Sequence, residues 1–132
     1  MNETTTMIVG LRRNSNDEGP AFEGSASGRT LDKIVPNWRL CTGYNLYKTK
    51  TDDTDPIPRF DEMMVKTKPR LVVMLGREVE KILTGKRNHP MLEPFEFKGG
   101  KAVVLPHPSP VNRVWNDKSM FDKTRTAMEG ME

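Results

Sequence analysis

Four side chains able to do polar chemistry crowd into one stretch, Leu105-Pro106-His107-Pro108-Ser109-Pro110-Val111-Asn112-Arg113. His107, Ser109, Asn112 and Arg113 bring an imidazole, a hydroxyl, an amide and a guanidinium within seven residues. The stretch follows the apolar run Ala102-Val103-Val104-Leu105, so a buried strand ends in a proline-stiffened loop. Open α/β sheets place their ligands at the carboxyl ends of strands. A second polar segment, Gly10 to Arg29, follows the apolar run Thr6 to Leu11 and contains Asp17, Glu18, Phe22, Gly24, Ser25 and Ser27. Carboxylates such as Asp17 and Glu18 can orient a water molecule. Serines beside a helix start can hold anions. Asn45 lies in a third run, Gly43 to Lys48, and its amide offers a donor and an acceptor side by side.

The elements that must position these groups are legible as alternating periods. Thr6 to Leu11 reads as a first strand buried on both faces. Leu31, Ile34 and Val35 have helical spacing in Gly28 to Val35, with Ser25 or Ser27 as a cap and Pro36 as a stop. Trp38 to Leu40 suits a short strand or a turn, and Gly43 to Lys48 a second strand. Phe60, Met63 and Met64 mark a short helix ending before Pro69. Arg70 to Gly76 is the clearest strand, followed by a helix over Glu78 to Leu83 that Gly85 closes. Phe95 to Phe97, a Gly99-Gly100 turn and Ala102 to Leu105 suggest a hairpin leading into the last core strand. Met120, Phe121, Thr124 and Met128 mark a C-terminal helix. Strands alternating with helices imply one α/β domain over residues 1–132, three layers deep, around a central, mainly parallel, four-stranded sheet.

Composition narrows the chemistry. The 132 residues suit one domain. The net charge of +3, from 21 Lys and Arg against 18 Asp and Glu, is compatible with a polyanionic partner without requiring one. Arg12, Arg13, Arg29, Lys48, Lys50 and Arg113 all fall at expected strand ends or in adjoining loops. One cysteine, Cys41, and two histidines cannot build a thiolate cluster or a histidine cage, so neither metal nor cofactor is expected. The longest apolar run, Leu71 to Leu75, is too short to span a membrane. Met1-Asn2-Glu3-Thr4 lacks the basic and apolar regions of a signal peptide. A soluble cytoplasmic protein is the expectation. Asp52, Asp53 and Asp55 read as solvated loop charges, His89 as an ordinary exposed residue, and Trp38 and Trp115 as packing residues.

The segment Gly19-Pro20-Ala21-Phe22-Glu23-Gly24-Ser25-Ala26-Ser27-Gly28-Arg29-Thr30-Leu31, with His107-Pro108-Ser109-Pro110 and Asn45 between, resembles the uracil-DNA glycosylase superfamily. The likeness covers nearly the whole chain in the right order. It implies a compact, divergent member, with a viral origin as one alternative and an intracellular place in the host cell in that case. It implies DNA as partner, with a pyrimidine nucleotide flipped from the strand. Phe22 would stack on the base beside Gly10 and Leu11, Asn45 would read its edge, and His107 would stabilise charge at O2. Gly24, Ser25, Ser27, Arg29, Ser109, Asn112 and Arg113 would approach or hold DNA. Arg113, Val111 or Trp115 would stand where the family inserts a wedge into the duplex.

The chain departs from the family at the residue that positions the attacking water. Arg12 stands near that place, and a cation there opposes an oxocarbenium-like transition state. Asp17 and Glu18 are the substitutes favoured for orienting water, and Arg12 itself becomes a phosphate contact or a solvated charge. Two other readings follow. A viral base-modifying enzyme of the same fold would act on the C5 substituent of a thymine-derived base, leaving the glycosidic bond intact. A non-catalytic DNA-binding module would keep the cleft without turnover. By residue type alone, Phe22 suits a core anchor as well as a stacking surface, and Asn45 suits a strand end.

Overall fold

The computed structural model describes residues 6–12, 22, 26–35, 37–49, 51–108 and 112–131, the side chains of 26 and 27 excepted. In chain order the elements are β1 (Thr6–Arg12), α1 (Ala26–Ile34), a 3-10 helix (Trp38–Leu40), β2 (Thr42–Tyr47), α2 (Ile57–Thr67), β3 (Leu71–Leu75) and α3 (Arg77–Thr84). They continue with β4 (Phe95–Phe97), β5 (Gly100–Leu105), a second 3-10 helix (Arg113–Asn116) and α4 (Ser119–Met131).

One sheet runs in the order β2-β1-β3-β5-β4. The first four strands in that order are parallel, and β4 pairs antiparallel with β5. The expectation of four strands is therefore corrected to five. The short run Phe95–Phe97 turns back at Lys98 and Gly99 and adds an antiparallel edge to the parallel core.

Alternation along the strands sorts the core into two layers. Ile8, Leu71, Val73, Leu75, Val103 and Leu105 face Leu31 and Ile34 of α1, Trp115 of the second 3-10 helix and Met128 of α4. Met7, Val9, Val72, Met74, Ala102 and Val104 face Phe60 of α2 and Val79 of α3. All five residues of β3 are buried, as a central parallel strand covered on both faces requires. Helices on both sides give the expected three layers. Lys68 in the left-handed region closes α2 just before Pro69, and Gly85 closes α3.

One local reading changes and two open ones are decided. Trp38–Leu40, read as a short strand or a turn, is a 3-10 helix. His89 is not an ordinary exposed residue: its ring stacks on Phe95, with centroids 3.8 Å apart and planes 12° from parallel. Its Nδ1 lies 2.5 Å from Oε2 of Glu80, a carboxylate fully shut off from solvent. Trp115 is buried, so it is a packing residue and not a wedge.

Candidate active site

The chain leaves β1 for the α1 side of the sheet and leaves β3 for the α3 side. The carboxyl ends of β1 and β3 therefore flank a point where the winding reverses, the place where open α/β sheets hold ligands. Two glycines mark it.

Gly10 is the first. It pairs with Asn45 across β1 and β2, so both residues point to the same face. A methyl group built on Gly10 would stand 2.6 Å from Cε1 of Phe22 and 2.7 Å from Oδ1 of Asn45. Only the absence of a side chain lets an aromatic ring and a carboxamide meet over this backbone. Phe22 is half-buried, with its ring edge-on to Trp38 at 6.2 Å. Its φ of 69° lies in the left-handed region, a conformation that costs a bulky residue about 1–3 kcal/mol. Such strain persists where surrounding structure imposes it, and it gathers at ligand clamps. Among the described residues, no hydrogen bond engages the Asn45 carboxamide, while its backbone carbonyl accepts from Arg59.

Gly76 is the second, directly after β3. With φ of 104° it turns the chain into α3, and a methyl group there would be 3.3 Å from both Cβ and Cδ2 of His107. The ladder between β1 and β3 ends at Val9↔Met74, one residue before Gly10 on β1 and two before Gly76 on the other strand. The His107 carbonyl accepts from Nδ2 of Asn112 and from Nε1 of Trp115, each at 2.9 Å. Oδ1 of Asn112 accepts from the Val114 amide at 3.3 Å. Buried Trp115 and the Asn112 cap thus fix the backbone that carries the imidazole. His107 is exposed, yet the protein around it removes enough water to lower its pKa below the ordinary 6.5. His107 is neutral at pH 7.

The remaining candidates divide. Asn112 spends both ends of its amide on this internal scaffold. Arg113 and Arg29 are exposed. The guanidinium of Arg12 lies 4.3 Å over the Tyr47 ring and donates to the carbonyls of Asp52 at 2.6 Å and Thr49 at 3.3 Å. It leans onto the connection from β2 to α2. Asp52 organises that connection, accepting from the amides of Lys48 at 2.9 Å and Thr54 at 3.0 Å. Those bonds bring its pKa to about 2. Asp17, Glu18, Gly24, Ser25 and Ser109, with the side chain of Ser27, lie outside the described residues.

Gly76 escaped the reading of the sequence. Its signal was a glycine closing the clearest strand, one strand from the His107 loop. Asp52, followed at two residues by a threonine, carried the mark of an Asx turn. A separate hollow of about 1270 Å³ lies at the opposite, amino-terminal edge, lined by Thr6, Leu71, Lys68, Arg70 and Lys98. It contains none of the candidate residues. Among the described residues, no three His, Cys, Asp or Glu side chains gather as metal ligands, and no helix is long and apolar enough to cross a membrane.

Residues 2–129 match a family model described as the Uracil DNA glycosylase superfamily. No curated protein matches the chain.

Proposed function

This chain belongs to the uracil DNA glycosylase superfamily, and from that premise we propose that it flips a pyrimidine, uracil or a modified uracil or thymine, out of DNA and hydrolyses its N-glycosidic bond. The observation that carries the reading is the meeting of Phe22 and Asn45 over Gly10, one strand from His107 over Gly76. A flipped pyrimidine stacks on Phe22, trading base stacking in the duplex for a fixed ring. The Asn45 carboxamide hydrogen-bonds the base edge. As the C1′–N1 bond breaks, its electrons pass into the base and negative charge grows on O2. Neutral His107 donates a hydrogen bond there, and water adds to the cationic C1′ carbon with loss of a proton. Asp17 or Glu18 is the group proposed to orient that water.

The departure at Arg12 argued against hydrolysis because a cation beside the sugar opposes its positive charge. Arg12 instead commits its guanidinium to Tyr47, Thr49 and Asp52. That supports hydrolysis over the reading in which the C5 substituent is modified.

The test uses oligonucleotides carrying uracil, hydroxymethyluracil or a mismatch, scored for abasic product and for mass change of the base. Base release is expected from the wild type. His107→Ala is expected to slow it by roughly 10²–10³-fold, as removal of an oxyanion donor does. Asn45→Ala should also slow it while leaving the fold intact. A wild-type protein that yields no abasic product on any of these substrates rejects hydrolysis, and a mass change with the glycosidic bond intact selects C5 chemistry.

A further inference from the structure

Reading a base edge requires the Asn45 carboxamide to hold one orientation, yet the strand that bears it is the outermost of the sheet. β2 is supported by β1 on one side only. The outward backbone groups of an edge strand ordinarily face water. Here Arg59, in the first turn of α2, reaches back to the carboxyl-terminal half of this strand. Its Nη2 donates to the carbonyl of Asn45 at 2.8 Å and to that of Leu46 at 2.7 Å. Its guanidinium lies over the Tyr44 ring, 4.7 Å from the centroid. One half-buried side chain therefore grips three consecutive residues of β2, with the base-reading candidate in the middle.

We propose that Arg59 is a positioning residue for base recognition, acting through the backbone of Asn45 without touching the base. The inference rests on the glycosylase reading of Asn45. An arginine suits the role because its planar group stacks on an aromatic face while donating in a fixed direction, which a lysine ammonium cannot reproduce. Arg59 also lines a hollow of about 330 Å³ with Lys48, Asp52 and Asp55. That hollow is walled by the connection that Arg12 and Asp52 fasten. The grip on β2 is thus continuous with the turn that Asp52 and Arg12 fasten.

The experiment compares Arg59→Lys and Arg59→Met with the wild type in two ways. The first is the ratio of kcat/KM for uracil over cytosine in otherwise identical oligonucleotides. The second, with no DNA present, is the NMR resonance of the Asn45 side-chain amide. Both variants are expected to release uracil roughly 10–100-fold more slowly, mostly through kcat, as small misplacements of reacting groups do. The preference for uracil should shrink, and the Asn45 amide resonance should shift or broaden. A role confined to protecting the sheet edge would lower Tm while leaving the preference and the resonance unchanged, and that result overturns the inference. A wild type that releases no base defeats the glycosylase reading before any variant is compared. The Asn45 resonance still decides whether Arg59 orients the carboxamide. If Arg59→Met does not fold, Arg59→Lys alone decides both measurements.

Discussion

A single methyl group tests the proposed site more sharply than truncating any side chain within it. Gly10→Ala places a carbon 2.6 Å from the Phe22 ring and 2.7 Å from Oδ1 of Asn45. Both groups sit on the ends of side chains, so they move rather than the sheet. The expected cost in stability is about 1–3 kcal/mol, as for other overpacked positions. Base release is expected to fall far more than that loss of fold explains. Denaturation and turnover measured together check it, and unchanged turnover would place the ring and amide outside the reaction. His107 supplies the matching pH test. Its pKa is lowered from 6.5 by partial desolvation, so the neutral imidazole already predominates as pH rises through that value. The rate profile should therefore carry no His107 inflection between 6.5 and about pH 8. An inflection in that window that disappears in His107→Gln contradicts the neutral-donor role.

Among the elements, α3 carries the buried charge that the sequence hid. Glu80 is fully buried and accepts from Arg77 Nη1 at 2.9 Å and from the His89 amide at 2.9 Å. Burial alone raises its pKa, but the bonds from Arg77 and His89 outweigh burial and hold it below the ordinary 4.5. A depressed carboxylate pKa contributes stability that is present above 4.5 and is lost as pH falls through the folded value. Glu80→Ala is expected to cost roughly 1–3 kcal/mol near neutrality, because the His89 amide loses its buried acceptor, while Arg77, a third exposed, keeps the His89 carbonyl. Glu80→Gln should flatten the acid limb of a plot of stability against pH. An acid limb identical to the wild type would show that this carboxylate does not govern it. The spacing of Val79, Ile82 and Leu83 announced the helix, since period alone tells which face turns inward. It could not announce that Glu80 turns inward as well, because the partner that makes burial tolerable, His89, sits in a following loop with no period. The same limit explains Arg12, whose partners Thr49 and Asp52 are 37 and 40 residues away.

At the level of the whole molecule, the alternating strands and helices dictated the parallel sheet, and the parallel sheet dictated that Asn45, Gly10 and His107 end at one edge. That much was legible because each residue lies at or just beyond the end of an apolar run. The left-handed backbone of Phe22 was not, since nothing in Gly19 to Leu31 distinguishes a strained aromatic from an ordinary loop anchor. The edge that gathers the cleft also sets which cations face a nucleic acid. Arg113 is exposed on the 3-10 helix that follows the His107 loop, and Arg29 is exposed on α1. Arg12 is spent on Tyr47 and on two carbonyls. A phosphate contact releases counterions, so affinity for duplex DNA falls with salt along a slope of about 0.9 per contact. Arg113→Ala is expected to weaken DNA binding across sequences and to reduce that slope by about 0.9. Arg12→Ala should leave the slope in place and instead loosen the connection from Lys48 to Pro56, read as faster amide exchange at Lys48 and Thr54, the two amides that Asp52 holds. The reverse pattern, a slope that depends on Arg12 and not on Arg113, would mean that DNA lies across the β2 side of the edge, and the assignment of Arg113 to the DNA surface would fall.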